Sequence, residues 1–195
     1  QFIRVELSHD NPDDEGTKRW FTISSTPHDG YIQITTRVTD TTFKQALAAL
    51  PIGGTINLVE RPDGDFVWQE SDKPLVFVAG GIGITAIHAM AEELATRGAS
   101  YELHYAMRED ASGAFVQQLL ARHGSKMRLY VSAKGERFSV SQALRHQPLG
   151  THIYVCGPER MIDGVLADAR AEGWPEGALH AERFAAPAGG WSAKP

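Results

Sequence analysis

The chain has 195 residues, 42% of them apolar, and a net charge of −5 with no run of basic residues. That length suits one large domain or two small ones with an adequate core; the charge excludes a nucleic-acid footprint, and no apolar stretch approaches the roughly 20 residues that span a bilayer. A single cysteine, Cys156, excludes an intrachain disulfide, a cysteine-ligated iron–sulfur cluster and a Cys-type zinc site within these residues, and it points to a reducing cytoplasm.

Gln1 to Leu7 reads as a strand, with Phe2, Val5 and Leu7 apolar. It begins without Met, a signal peptide or a preceding turn, so strands upstream of it are expected. From there to about Trp68, short apolar runs alternate with turn chemistry at His9 to Glu15, Pro27 to Gly30 and Gly53-Gly54, the pattern of antiparallel β structure. One helix interrupts it, Thr42 to Leu50, capped by Asp40, Thr41 or Thr42 and ended before Pro51. Ile56 to Val59 resumes a strand, and Pro62-Asp-Gly64 turns the chain before Phe66.

The polar stretch Gln69 to Lys73 separates two halves. Beyond it strands are predicted at Leu75 to Ala79, Tyr101 to Met107, Met127 to Ser132, Thr151 to Cys156 and Ala178 to Phe184, with helices near Ala86, Ala114, Ser141 and Glu159. Such a repeat folds as a parallel sheet with right-handed crossovers. The expected architecture is therefore β + α/β: a partial antiparallel β-barrel over 1–70, a five-stranded parallel α/β domain over 73–185, and a small, Gly- and Pro-rich linker or tail over 186–195 whose only anchor is Trp191.

The segment Lys73-Pro-Leu-Val-Phe-Val-Ala-Gly-Gly-Ile-Gly-Ile-Thr85 carries the densest chemical information. Leu75 to Val78 suits a strand buried on both faces; Gly80, Gly81 and Gly83 then permit close backbone approach, and Thr85 caps a helix with Ile87, Met90, Ala91 and Leu94 on one face, stopped by Gly98. The free N–H groups at the start of such a helix favour an anion. Taken alone, a glycine-rich strand-to-helix turn is as often a tight connection as a phosphate cradle. The eight histidines show no pair at metal-ligand spacing, and Ser24-Ser25 lacks the glycines of a nucleophile elbow, so neither a metal site nor a hydrolase is expected.

Four motifs follow in order: Arg19-Trp-Phe-Thr22, Gly80-Gly-Ile-Gly-Ile-Thr85, Cys156-Gly-Pro158 and His180-Ala-Glu-Arg-Phe184. Together they resemble the ferredoxin-NADP reductase superfamily, beginning part-way through that family's flavin-binding barrel. Tyr105-Ala-Met-Arg-Glu-Asp110, Gly173-Trp-Pro and the Phe184 segment are most similar to the phthalate dioxygenase reductase class of oxygenase reductases. By that resemblance Arg19 would pair with a flavin phosphate, Phe21 would pack on the isoalloxazine where the family usually has Tyr, and Thr22 would address N5. Ile34 and Thr36 would belong to the strand facing the flavin ring, and Thr42 would offer its hydroxyl to phosphate, although the family often has glycines there and simple capping also explains the threonines. FAD is favoured over FMN.

The same resemblance assigns the pyridine-nucleotide pyrophosphate to Gly80, Gly81 and Gly83 and its carboxamide to Thr85. Arg108 and Asp110 would read the adenosine ribose; an acidic group there accepts from a 2′-hydroxyl and repels a 2′-phosphate, which favours NADH over NADPH. Cys156, followed by Gly157 and Pro158, would border the nicotinamide as a positioning group, Phe184 would cover the flavin until nicotinamide displaces it, and Glu182, on the same face by strand alternation, would polarise the site or handle a proton. Buried-thiol, core-packing and solvated-loop readings compete for Cys156, Phe184 and the Arg108/Asp110 pair. Acidic Asp13-Asp-Glu15, just ahead of Arg19, is a solvated loop or tunes flavin access. The implied activity is hydride transfer from NAD(P)H to flavin and electron delivery to an iron–sulfur or haem acceptor outside these residues, which hold no cysteines for a cluster: a separate ferredoxin, an oxygenase component, or a domain beyond Pro195. The alternatives are a stand-alone flavin reductase or diaphorase, and a flavin-free interaction module.

Overall fold

Burial alternates residue by residue along β1 (Phe2–Glu6), with Ile3 and Val5 turned inward, as a half-buried antiparallel strand requires. The computed structural model describes residues 1–70, 73–109, 113–148 and 150–184. β1 pairs antiparallel with β2 (Lys18–Thr22) and, after α1 (Thr42–Ala49), with β3 (Asn57–Leu58), giving the order β2-β1-β3. Ile3, Val5, Leu7, Phe21 and Phe43 form the core beneath this sheet. The predicted helix is present to within a residue. Thr41 is its N-cap but makes no side-chain capping bond, and Leu50 turns extended ahead of Pro51.

Two expectations in this half need adjusting. Ile34 to Thr36 is not a regular strand; a single bridge links Ile34 to Ile23. The segment from Ile56 to Val59 pairs over only two residues, Asn57 and Leu58.

The second half holds five parallel strands, β4 (Leu75–Gly80), β5 (Tyr101–Met107), β6 (Met127–Val131), β7 (His152–Cys156) and β8 (Leu179–Glu182), in the order β6-β5-β4-β7-β8. Between them come α2 (Ile84–Thr96), α3 (Val116–His123), α4 (Val140–Leu144) and α5 (Glu159–Ala171). Every residue of the central strand β4 is buried, which is why it reads as a continuous apolar run. Val76, Val78, Ile153 and Val155 meet Val140 and Leu144 of α4 and Ile162, Val165 and Leu166 of α5; each such side chain contributes about 1.5–3 kcal/mol on burial. Gly98 ends α2 with a φ of +67°, a conformation that costs glycine nothing.

By its contacts the chain divides into two units, Gln1–Glu70 with Thr85–Arg97, and Ser71–Ile84 with Gly98–Pro195. Within the first, the buried ring of His88 on α2 bonds through Nδ1 to the Ser24 carbonyl at 2.8 Å, so the helix is fastened to the segment just after β2. Among the described residues no helix is long and apolar enough to cross a membrane. Residues 186–195, expected as a linker or tail, lie outside the described residues.

Candidate functional site

At its C-terminal end β4 delivers the chain into a 3-10 turn, Gly81–Gly83, that runs directly into α2. Thr85 therefore does not cap the helix. It sits within the first turn, 1% exposed, because the 3-10 turn and the helix join without a separate cap position. The glycines are required by close approach: a Cβ on Gly83 would lie 2.2 Å from the Cys156 carbonyl oxygen, and one on Gly80 would lie 2.7 Å from Pro158 and from Met161. The glycine turn and Cys156-Gly-Pro158, far apart in sequence, are thus in van der Waals contact at the ends of neighbouring strands β4 and β7. Strand order reverses between these two strands, and open parallel sheets bind ligands outside such a reversal.

Cys156 is fully buried. Burial, with the Glu182 carboxylate adding to it, pushes the thiol far above its ordinary range, so it stays protonated and is a poor nucleophile. Glu182 stands opposite it in the β7–β8 register. Phe184 behaves otherwise: β8 ends at Glu182, so strand alternation does not extend to Phe184, which is 43% exposed.

A cleft of about 560 Å³ opens beside the turn, lined among others by Gly80, Gly81, Arg108, Tyr130, Arg137 and Arg160. Arg108, Arg137 and Arg160 make no ion pair among the described residues and give the cleft a cationic lining. The Arg108 carbonyl accepts the Ala133 N–H at 3.0 Å, joining the loops after β5 and β6. Asp110 lies outside the described residues. Sequence reading missed Tyr105, whose buried hydroxyl donates to the Gly81 carbonyl and accepts the Ala114 N–H, both at 3.1 Å. It also missed His152 and His180, which the β7–β8 pairing brings to 2.8 Å, Nδ1 to Nε2; no set of three metal-ligating side chains forms among the described residues.

In the first unit Arg19 is 12% exposed, with its Cζ 5.2 Å from the ring centroid of Phe43, next to Thr42 at the start of α1. The Thr42 hydroxyl is buried without a partner. A guanidinium beside a helix start and an orphaned hydroxyl fit a phosphate ester. Arg19 is also held by Asp13 and lies 2.9 Å from Glu15. Phe21, expected against a flavin ring, is 7% exposed and packs on Phe43 at 6.0 Å, while Thr22, Ile34 and Thr36 are half-buried. A cavity of about 820 Å³ in this unit, lined by Ile23, Tyr31, Phe66 and Trp68 among others, is lined by none of these candidates.

An antiparallel sheet followed by a five-stranded parallel sheet with this reversal point is the architecture of the flavin- and nicotinamide-binding domains of ferredoxin reductase-like proteins. It superimposes on phthalate dioxygenase reductase with a TM-score of 0.79 at 23% identity, covering 95% of this chain and 58% of that one. An intact type IV self-sufficient cytochrome P450 monooxygenase gives a TM-score of 0.80 at 30% identity, over 95% of this chain and 23% of the other. The chain belongs to the dimethylamine monooxygenase subunit DmmA-like family, whose N-terminal domain matches residues 61–179. It is 37% identical over 127 residues to a carnitine monooxygenase reductase subunit of Acinetobacter baumannii, a match spanning 65% of this chain and 40% of that relative.

Proposed function

We propose that this chain is the flavin- and nicotinamide-binding part of an oxygenase reductase, working in the cytoplasm and passing electrons from NADH through FAD to an iron–sulfur or haem acceptor in an oxygenase system. The observation that carries the reading is the contact between the Gly80–Gly83 turn and Cys156-Gly-Pro158 at the strand-order reversal, in a chain related to a monooxygenase reductase subunit.

When bound, the flavin supplies the means to take a hydride and release the electrons one at a time. Flavin is assigned to residues 1–70, where Arg19 and Thr42 hold phosphate, Phe21 backs the ring, and Thr22, Ile34 and Thr36 line it. The nucleotide is assigned to 73–185. Gly80, Gly81 and Gly83 admit the pyrophosphate, Arg108 and Asp110 meet the adenosine ribose, and Thr85 meets the carboxamide. Cys156, Gly157 and Pro158 form a wall against the nicotinamide, with the neutral thiol acting by shape. Glu182 fixes the local charge, and Phe184 is the exposed aromatic that yields to the incoming ring. A flavin and a nicotinamide held on one chain would react as an oriented pair rather than through a bimolecular encounter.

The test is the visible spectrum of the chain loaded with flavin under anaerobic conditions, before and after NADH and, separately, NADPH. Bleaching of the flavin band, faster with NADH, is the expected outcome. A loaded chain that neither nucleotide bleaches would defeat the reductase reading; equal rates would defeat the NADH preference alone.

A further inference from the structure

We propose that Asp13 and Glu15 compete with the flavin phosphate for Arg19, so that this acidic loop sets how tightly the chain holds its cofactor. The inference rests on the reading of Arg19 as the phosphate partner.

The argument is one of donor supply. A guanidinium offers a fixed fork of N–H donors and accepts nothing. In Arg19, Nη1 donates to the carbonyls of Gly16 at 3.0 Å and Lys18 at 2.8 Å, Nη2 donates to the Asp13 carboxylate, and Nε lies 2.9 Å from Glu15 Oε2. Only one N–H is left facing no oxygen. The side chain cannot swing freely to a new ligand while it keeps these contacts and stays over the Phe43 ring.

The loop is organised around the same carboxylate. Asp13 Oδ1 accepts the Glu15 N–H at 3.1 Å, the Asp13 carbonyl accepts the Gly16 N–H at 2.8 Å, and the Leu7 N–H bonds to the Thr17 carbonyl at 3.0 Å. Arg19 holds the Asp13 carboxyl below its ordinary range, so the competitor is ionised at neutral pH. An arriving phosphate thus exchanges one anion for another at the guanidinium rather than meeting a bare cation. Much of its Coulomb gain is offset by the carboxylates it displaces. The result is a cofactor bound reversibly, with an affinity written partly in residues that never touch it.

The experiment titrates the 195-residue chain with FMN and with riboflavin, following quenching of flavin fluorescence. The variants are D13N/E15Q, E15Q alone, R19A, and R19A in the D13N/E15Q background. At low ionic strength D13N/E15Q should bind FMN about tenfold more tightly, a gain that shrinks with added salt. Riboflavin, which has no phosphate, should bind unchanged, and R19A should abolish the gain. E15Q, at the more exposed of the two acids, should tighten FMN by a smaller factor and keeps the test alive should D13N disturb the turn. Unchanged or weaker FMN binding in D13N/E15Q and E15Q, or an equal gain for riboflavin, overturns the proposal. If R19A alone binds FMN as tightly as the wild-type chain does, the Arg19 reading falls first; if no chain binds either flavin, the flavin assignment itself falls, and this inference with it.

Discussion

Cys156 is open to two readings in the sequence, a buried thiol and a group bordering the nicotinamide, and the structure buries it completely. Its place before Gly157-Pro158 and a buried-thiol reading were both legible; the cross-strand Glu182, which adds to burial in holding the thiol protonated, was not. The native chain should therefore resist alkylation by iodoacetamide at pH 8 and react at its one thiol once unfolded, as counted by mass spectrometry. Rapid native labelling would contradict the burial. Two imidazoles make an opposite kind of statement. Burial, followed by the neighbouring His152, lowers the pKa of His180, and burial lowers that of His104 against the opposing Glu102. The unfolded chain then binds protons more readily than the folded one, so stability falls as pH drops below the ordinary imidazole value of 6.5 and levels off once both folded groups are charged. The melting temperature should decline from pH 7 to pH 5, and H180Q should flatten part of that slope. The ion-paired carboxyls of Asp13, Glu93 and Glu176 are lowered instead, so their stabilisation is lost only at lower pH, beneath the ordinary carboxylate range.

Among the elements, the central strands were the most legible because burial on both faces writes itself as an uninterrupted apolar run. β5 falls over Tyr101–Met107 as expected, and β4 extends its expected span only by Gly80. What composition could not show was where pairing stops. Ile34 to Thr36 has strand-like residues but only one bridging partner, and Phe184 lies past the last β8 residue paired to β7. Thr85 was misplaced because capping chemistry is read from a hydroxyl before an apolar run, and a 3-10 entry looks the same in sequence. The glycine turn offers the sharpest test at this scale. Gly83→Ala sets a methyl 2.2 Å from a backbone carbonyl that cannot step aside, and should cost about 1–3 kcal/mol in denaturant unfolding. Gly177→Ala, with open space around it, serves as the control.

Across the whole chain, the order of four short motifs carried the class of protein, and the structure adds which distant residues become neighbours. The meeting of Gly83 with the Cys156 carbonyl, and of Arg19 with Asp13 and Glu15, depends on strand order and loop closure, which no local pattern encodes. His152 and His180 make the same point: they look unrelated in sequence, yet parallel pairing of β7 and β8 stacks their rings 10° from coplanar. Tyr105 has the widest consequence. Because its phenol hydroxyl donates to the carbonyl of Gly81 and accepts the N–H of Ala114, the glycine turn that lines the cleft is tied to the chain entering α3. Neither segment can shift without drawing on the other, so the rim of the turn and the lead-in to α3 move, if they move, as one piece.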